Sequence, residues 1–395
     1  MTLGITYLSN SRFPSEMANT VQIMNMCDSM TEYGFKVNLL KPYRVNQLKG
    51  ASRDLYEFYN LSTRFNIHTV KFIDLSLLEK FIPSMMFRSL NYLNNMVWEN
   101  YLVNYYIKNY TNDLVYMRHT LPFALYKISK LNIPAIIEFH GMPSKRYIGY
   151  YKEAFSNSNK FIPLALTKLL AEDIAEVLNI DLTNILVLPG AVDINKFGGN
   201  KIVSNIDKKK LNITYVGSLI PNRGVDTLMI AAKALKELNF TIIGGVGEDL
   251  NKMKLYKEKN GLSNVNLLGY KPQKDLPLYY QQSDILILPM TGKEVHTTRY
   301  ASPNKLFEYM ASGKPIIASD LISIREILTN NESILLFEPD NSIDLINKIK
   351  LLSSNPDFMI KLSKNSRHLA KQYSWISRVE KIHNHIQKFN LNKVL

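Results

Sequence analysis

The chain has 395 residues, of which 46% are hydrophobic and 21% charged, a balance typical of soluble globular proteins large enough for two domains. A single cysteine, Cys27, excludes a disulfide framework and a cysteine-based zinc site, which fits a reducing compartment. No leader opens the chain and no apolar run reaches the roughly 20 residues that span a bilayer, so we predict a cytoplasmic protein.

The net charge of +14 fits nucleic acid, anionic lipid or a phosphorylated ligand as a partner. Most of the positive excess lies in the second half, and the basic residues are scattered instead of clustered with aromatic side chains. This distribution does not indicate a nucleic-acid-binding module. A polyanionic small ligand and a solvated lysine-rich surface are the two remaining explanations.

The opening segment has the pattern of a βαβ unit. An apolar strand at residues 3–8 is followed by a loop, a helical pattern and a second strand from Lys36. Parallel sheets of this kind place ligands at the carboxyl ends of their strands. The polar residues of the first loop are therefore candidates for binding the acceptor substrate, although an ordinary solvated loop would have a similar composition: Asn10, Ser11, Arg12 and Glu16.

The segment Leu77–Tyr110 is dense in apolar and aromatic residues and is predicted to be mostly helical. Helices of this composition either pack between layers of a core or lie on a membrane surface. We favour core packing, and peripheral contact with the inner face of the membrane is the alternative.

A histidine followed by glycine ends the buried-type strand at residues 133–139. His140 would lie at the carboxyl end of a parallel strand, where α/β enzymes hold their reactive groups. A lone histidine is more often structural, so its position alone favours the structural role.

Residues 198–210 are polar and begin with two glycines, which makes them the best linker in the chain. The strand–turn–helix–strand pattern restarts at Leu211. We therefore predict one α/β domain over residues 1–197, joined by a C-terminal helix over 376–395, and a second over 198–375.

An anion-binding helix is predicted within Tyr300–Asp320. Ser302 has the side chain of an N-cap, Pro303 suits the first helical position, and no breaker precedes Gly313. The free N–H groups and positive dipole end of such a helix favour a phosphate. An ordinary capped helix packed on a sheet is the alternative.

Two charged residues support the phosphate interpretation. Lys305 stands in the first turn, where a cation is unfavourable unless an anion is bound. Glu308 shares the face of Lys305 and Asn304 and lies about 6 Å along the axis from Asn304. That spacing matches the reach from a phosphate to a ribose hydroxyl.

Several segments together resemble glycosyltransferase family 4, whose members retain the anomeric configuration of the transferred sugar. The resemblance covers most of the chain and is strongest in its second half, where these segments carry it: Val216–Leu219, Arg223–Leu228, Gly269–Tyr270 and Ser302–Ser319. It implies the GT-B fold, an α/β architecture of two Rossmann-like domains facing each other across a cleft. The first domain would bind the acceptor and the second a nucleotide diphosphate-sugar.

The resemblance also implies roles for individual residues of the second domain. Glu308 would accept the ribose hydroxyls, and Arg223 would contact the diphosphate. The helix start, Pro303 with the amides of Asn304, Lys305 and Leu306, would hold the same diphosphate. Ser218 would line the donor site, and the loop of Tyr270, Lys271 and Pro272 would receive the base.

His140 would lie near the transferred sugar and the acceptor. No cofactor or metal is implied beyond a UDP- or GDP-linked co-substrate, because cationic side chains and the helix end replace the metal. The acceptor would be a glycan or a lipid-linked molecule in surface polysaccharide biosynthesis.

The sequence departs from the family pattern at two positions. Tyr300 stands where many members have a second glutamate, with Glu294 nearby but out of register, and Ser218 stands where many have an arginine. Recognition of the donor sugar is therefore the part of the resemblance that carries over least well to this chain. The alternatives are a nucleotide-sugar 2-epimerase of the same fold, for which the sequence offers no convincing carboxylate set, and a non-catalytic polyanion-binding protein.

Overall fold

The computed structural model describes residues 3–44, 54–75, 81–110, 113–198, 210–221 and 223–388. The chain forms two compact units, one of Met1–Leu188 with Trp375–Leu395 and one of Pro189–Ser374. The predicted division lies nearby, after residue 197. Most of the predicted linker, residues 199–209, falls outside the described residues.

The first unit is built on a parallel sheet whose seven strands alternate with helices. The strands are β1 (Gly4–Leu8), β2 (Lys36–Pro42), β3 (Asn66–Val70), β4 (Leu114–Arg118), β5 (Ala135–Phe139), β6 (Phe161–Ala165) and β7 (Leu186–Val187). The helices are α1 (Ala18–Glu32), α2 (Leu55–Phe58), α3 (Ser84–Tyr110), α4 (Pro122–Lys130), α5 (Ile148–Asn157) and α6 (Lys168–Leu178).

The strand order of this sheet is β3-β2-β1-β4-β5-β6-β7. The chain builds outward in one direction from β1 to β3 and in the other from β4 to β7. The carboxyl ends of β1 and β4 are therefore the topological switch point, where open α/β sheets bind ligands. The sequence prediction did not include β3.

The second unit repeats this architecture with six parallel strands. They are β8 (Asn212–Val216), β9 (Asn239–Ile243), β10 (Val265–Gly269), β11 (Ile285–Leu288), β12 (Ile316–Ser319) and β13 (Leu335–Phe337). The helices are α7 (Ile194–Phe197), α8 (Val225–Ala234), α9 (Gly247–Lys259), α10 (Leu276–Gln282), α11 (Asn304–Ser312), α12 (Ile322–Arg325), α13 (Ser342–Ser353) and α14 (Pro356–Ala370).

The order of this second sheet, β10-β9-β8-β11-β12-β13, is that of a dinucleotide-binding Rossmann fold, with its switch point between β8 and β11. Helices cover both faces of this sheet, because alternate residues of strand β11 pack in different buried clusters. Leu286 and Leu288 pack in one buried cluster with α11, whereas Ile285 and Ile287 pack in another with α8 and α13. Burial on both faces explains why the strands read as continuous apolar runs.

The last described helix, α15 (Trp375–Lys388), groups with the first unit. Its Arg378 is buried and donates to the Leu188 carbonyl at 2.7 Å and to Oε1 of Glu138 on β5 at 2.7 Å. Residues 389–395 of the predicted C-terminal helix lie outside the described residues.

Helix α3 confirms the helical prediction for residues 84–110, whereas residues 77–80 fall outside the described part. The predicted core packing is found for only part of this helix. Its second half buries Trp98, Leu102 and Val103, but an apolar stripe on its first half is exposed: Met85, Met86, Leu90, Leu93 and Val97. We call these five residues the α3 stripe.

None of the helices in the described residues combines the length and the apolar character of a membrane-spanning segment. Cys27 lies in the buried face of α1 and has no exposed surface. Burial, with the neighbouring Asp28 charge, raises the pKa of its thiol far above the usual range.

Candidate active site

Helix α11 begins one residue later than predicted, because Pro303 and not Ser302 is its N-cap. The Ser302 hydroxyl instead accepts a hydrogen bond from the Gly190 N–H at 2.8 Å, and no side chain caps the helix. The Leu306 N–H donates to the Pro303 carbonyl at 3.0 Å. The first turn already uses this donor, and the role of the Leu306 amide in phosphate binding stays a prediction.

Glu308 lies in the middle of α11 and is 3% exposed. Its Oε1 accepts from Lys305 at 3.0 Å and from Gln273 at 3.2 Å. Its Oε2 accepts from Lys305 at 2.8 Å and from Tyr280 at 2.6 Å. A buried carboxylate needs such partners, so its position is fixed by three side chains from three elements.

A tyrosine fixes α11 to the sheet. The Tyr309 hydroxyl accepts from the Val216 N–H at 2.8 Å, at the end of β8, and lies 3.4 Å from the Ile287 carbonyl of β11. These two strands flank the switch point. The face of α11 that carries Glu308 is therefore held at the sheet edge where this fold binds ligands.

Arg223 is positioned at the same edge by its neighbour. Gly224 has φ of +68°, and a Cβ there would lie 1.4 Å from the Pro289 carbonyl oxygen, just after β11. Only glycine permits this close approach. The loop that carries Arg223 therefore rests directly on the carboxyl end of β11.

The carboxyl ends of the other strands are joined by backbone hydrogen bonds. The Gly217 N–H donates to the Ile243 carbonyl at 2.9 Å, and the Gly244 N–H donates to the Gly269 carbonyl at 2.8 Å. Ser218 follows directly and is exposed, and Tyr270 and the half-buried Lys271 follow β10. The structure thus brings the predicted donor residues to one edge of one sheet.

Tyr300 is 8% exposed in a short π-helix before α11. Glu294 lies in the preceding turn, where its backbone carbonyl accepts from the Thr298 N–H at 3.0 Å.

In the first unit, His140 follows β5 and is part of a buried polar network. Its Nε2 lies 2.9 Å from Oε1 of Glu138. The same carboxylate accepts from Gln22 at 2.9 Å, from Tyr116 at 2.5 Å and from Arg378 at 2.7 Å. Glu138 therefore joins β4, β5, α1 and α15 through its two oxygens, which sequence reasoning did not detect.

The electrostatics of this network keep His140 neutral. Burial lowers the pKa of His140 to about 4, and the Arg118 charge acts in the same direction, although Glu138 opposes both. Burial alone would raise the pKa of Glu138, but Arg378 and His140 hold it well below its usual range. A neutral imidazole beside a carboxylate is favoured to carry its proton on the nitrogen that faces it, here Nε2.

The four predicted acceptor residues lie together in the loop after β1. The Asn10 amide donates to the Thr120 carbonyl at 3.1 Å and its oxygen accepts from the Thr120 hydroxyl at 3.2 Å, which ties this loop to the one after β4. The Ser11 hydroxyl accepts from Asn19 at 3.0 Å. Arg12 and Glu16 are 3.5 Å apart. The loop is therefore an ordered part of the first switch point.

The described residues contain no cluster of three or more histidine, cysteine or acidic side chains arranged for a metal ion.

The family model for glycosyl transferases group 1 matches residues 199–369, within the second unit. An uncharacterized glycosyltransferase of Methanocaldococcus jannaschii is 29% identical over 294 residues, covering 70% of this chain and 77% of that protein. An N,N'-diacetylbacillosaminyl-diphospho-undecaprenol alpha-1,3-N-acetylgalactosaminyltransferase of Campylobacter jejuni is 29% identical over 170 residues, covering 43% of this chain and 42% of that protein.

Among solved structures, the Anabaena protein HepE in complex with UDP superposes with a TM-score of 0.71 at 15% identity, covering 98% of this chain and 100% of that one. This likeness and the two parallel sheets confirm the predicted fold class, two Rossmann-like α/β domains of the GT-B type.

Proposed function

We propose that this chain, a glycosyltransferase by its group 1 domain and its relatives, is a retaining enzyme of the family 4 type. The donor is proposed to be a UDP- or GDP-linked sugar bound by the second unit. The acceptor is proposed to be a glycan or lipid-linked molecule of surface polysaccharide biosynthesis, bound by the first unit. The observation that carries the proposal is the arrangement of Glu308, Lys305 and Arg223 at the switch point of the second sheet.

The arrangement suits the departure of a nucleoside diphosphate. The first turn of α11 has no side-chain cap, so the amides of Asn304 and Lys305 offer donors to a phosphate. Arg223 and Lys305 add positive charge where negative charge develops as the glycosidic C–O bond breaks. Glu308 is the group proposed to bind the ribose. With these cations and the helix end in place, we propose a reaction without a resident metal.

His140 is the residue of the first unit that we assign to the transfer step. Its side chain is 11% exposed, so one part remains accessible while the Glu138 side is buried. With its proton on Nε2 facing Glu138, the neutral imidazole can accept a hydrogen bond from a sugar hydroxyl at Nδ1 without adding charge. We propose that it positions the transferred sugar.

The α3 stripe supports a lipid-linked acceptor. Its five apolar residues include Met85 at 80% and Val97 at 64% exposure. The one acidic residue of α3, Glu99, is buried and accepts from the N–H groups of Phe123 and Ala124. No acidic side chain of α3 is therefore exposed beside the stripe, which agrees with a bilayer surface as its partner. The diphospho-undecaprenol in the name of the Campylobacter relative agrees with this choice.

A panel of nucleotide-sugars tests the proposal, because slow donor hydrolysis requires no acceptor. We expect release of UDP or GDP from one sugar nucleotide, unchanged by EDTA, with the initial sugar product in the anomeric configuration of the donor. Formation of a 2-epimer would instead support the epimerase. Absence of hydrolysis and of any thermal shift with every nucleotide would support a non-catalytic protein.

Vesicle co-sedimentation tests the lipid-surface component separately. We expect binding to vesicles that contain phosphatidylglycerol, with a strong loss in a Leu90→Ser, Leu93→Ser, Val97→Ser variant. The matched control is Leu255→Ser, an equally apolar exposed position on α9 of the second unit. Equal vesicle binding by both variants would show that the α3 stripe does not contact the membrane.

A further inference from the structure

The carboxyl edge of the first sheet holds three arginines with buried guanidinium nitrogens that lack hydrogen-bond partners within the described residues. They are Nε of Arg12, Nε of Arg44, and both Nε and Nη1 of Arg118. Buried nitrogens of a charged group are costly to leave unsatisfied. Three such groups at one edge of a sheet indicate a site built for an anion.

The topology places these arginines together. Arg12 is in the loop after β1, Arg44 lies two residues after β2, and Arg118 is the last residue of β4. These strands are neighbours in the order β2-β1-β4, with Leu8 paired to Leu40 on one side and to Met117 on the other. All three residues therefore lie at the carboxyl edge around the first switch point.

The acidic groups present neutralise only part of this positive charge. Glu16 is 3.5 Å from Arg12, Asp74 is 4.0 Å from Arg44, and no ion pair of Arg118 is found among the described residues. Burial lowers the pKa of Arg44, and the charge of Arg12 acts in the same direction, while Asp74 opposes them.

Arg378 in the same unit shows the contrast. It is 3% exposed and bonds a carboxylate at 2.7 Å and a carbonyl at 2.7 Å, as expected of a structural buried arginine. Arg12 and Arg44 have only the longer carboxylate contacts of 3.5 and 4.0 Å, so their guanidinium groups retain donors for a ligand.

We infer that Arg12, Arg44 and Arg118 bind a phosphate or diphosphate group of the acceptor. This inference rests on the proposed function, because it assigns the anion to the acceptor that the first unit binds. Planar guanidinium groups match phosphate oxygens in paired hydrogen bonds, and low water exposure strengthens each bond. His140 lies beside Arg118, so the charged group would bind close to the residue that we assign to transfer.

Binding of inorganic pyrophosphate, measured by titration calorimetry on the full chain, tests the inference. Because the proposed donor site would also bind pyrophosphate, the Arg223→Ala variant, in which that site is weakened, serves as the parent protein. Adding Arg118→Gln to this parent is expected to weaken pyrophosphate binding about tenfold or more, and adding Arg12→Gln to weaken it in the same way. Adding Arg64→Gln, which removes an arginine that is 77% exposed in the same unit, is the matched control and should change affinity less than twofold.

Thermal unfolding without ligand separates binding from structure. Removing an unpaired buried charge should leave the midpoint of the Arg118→Gln protein unchanged or raise it. A lowered midpoint together with lost binding would mark Arg118 as structural and overturn the inference. Unchanged pyrophosphate affinity would overturn it as well. If wild type and Arg223→Ala bind pyrophosphate identically while Arg118→Gln weakens it, the acceptor site stands and the donor assignment of Arg223 fails.

Three further probes distinguish the sources of the phosphate. Farnesyl diphosphate in detergent represents a lipid carrier, glucose 1-phosphate a soluble sugar phosphate, and farnesol an uncharged lipid. If farnesyl diphosphate binds more tightly than glucose 1-phosphate and its binding depends on Arg118, the ligand is a lipid carrier. If glucose 1-phosphate binds more tightly, the ligand is a sugar phosphate. Farnesol that binds as tightly as farnesyl diphosphate would show that the anion contributes nothing, against the inference.

Discussion

The Lys305 ammonium lies 3.0 and 2.8 Å from the two carboxylate oxygens of Glu308 in the same helix. The three-residue spacing places both side chains on one face of α11. The side chains of Lys305 and Glu308 are 25% and 4% exposed, so the pair is largely shielded from water. Lys305, which is proposed to bind the phosphate, is therefore held in place by Glu308, which is proposed to bind the ribose. A change in either residue should then affect binding by the other.

Glu308→Gln is expected to raise the KM for the donor about tenfold or more, because it removes the charged acceptor and releases Lys305. Lys305→Met should also raise KM, and the double variant should lose less than the sum of the two effects in free energy. Steady-state donor hydrolysis measures all three. The matched control is Glu332→Gln, an exposed glutamate of the same unit. Additive effects would show that the two residues act independently.

Arg223→Ala is expected to weaken binding of the nucleoside diphosphate product about tenfold, because a charge-assisted contact to the phosphates is lost. Affinity for the nucleoside without phosphates should stay unchanged. Fluorescence or calorimetric titration with both compounds makes the comparison. Arg367→Ala, on α14 of the same unit, is the charge control. Equal losses for nucleoside and diphosphate would place Arg223 away from the phosphates.

His140→Ala is expected to abolish transfer while nucleotide binding is retained. His368→Ala, an exposed histidine on α14, should have normal activity. Because the pKa of His140 is lowered to about 4, it stays neutral through pH 6–8, and its titration should not shape the rate there. Because the folded state disfavours protonation of His140, its contribution to folding stability is complete above the pKa of about 6.5 in the unfolded chain. This contribution is lost as the pH falls toward 4, the pKa in the folded protein. Normal transfer by His140→Ala would make it a structural residue.

Glu99→Gln is expected to make folding stability less dependent on pH. Burial raises the pKa of Glu99 to about 8, although its hydrogen bonds from Ala124 and Phe123 act in the opposite direction. A raised carboxyl pKa lowers stability as pH rises from about 4.5 to about 8, with no further change above. The variant should therefore gain about 3 to 4 kcal/mol relative to wild type between pH 5 and pH 8. Urea unfolding at both pH values checks this, and a parallel pH profile would contradict the raised pKa.

The sequence predicted the local arrangement well where one short segment determines it. The helix over Asn304–Ser312 and its stop at Gly313, which has φ of +67°, follow from local propensities alone. The helix start was misplaced because Ser302 has a competing long-range partner, the Gly190 N–H. Such a contact joins positions more than one hundred residues apart in the chain, and no local pattern records it.

Residues that depend on strand order could not be found from the sequence. Arg44 and Arg118 are isolated arginines after or at the end of ordinary strands, and the site inferred for them depends on β2 and β4 both flanking β1. The Glu138 network likewise depends on α15 lying with the first unit. The exposed half of α3 was assigned to a core because composition alone does not show which apolar faces have a partner.

The buried position of Cys27 has a practical consequence. As the chain's one cysteine, with no exposed surface and a raised thiol pKa, it should resist alkylating reagents in the folded state. Cysteines introduced at exposed positions would then take fluorescent labels selectively in the wild-type background.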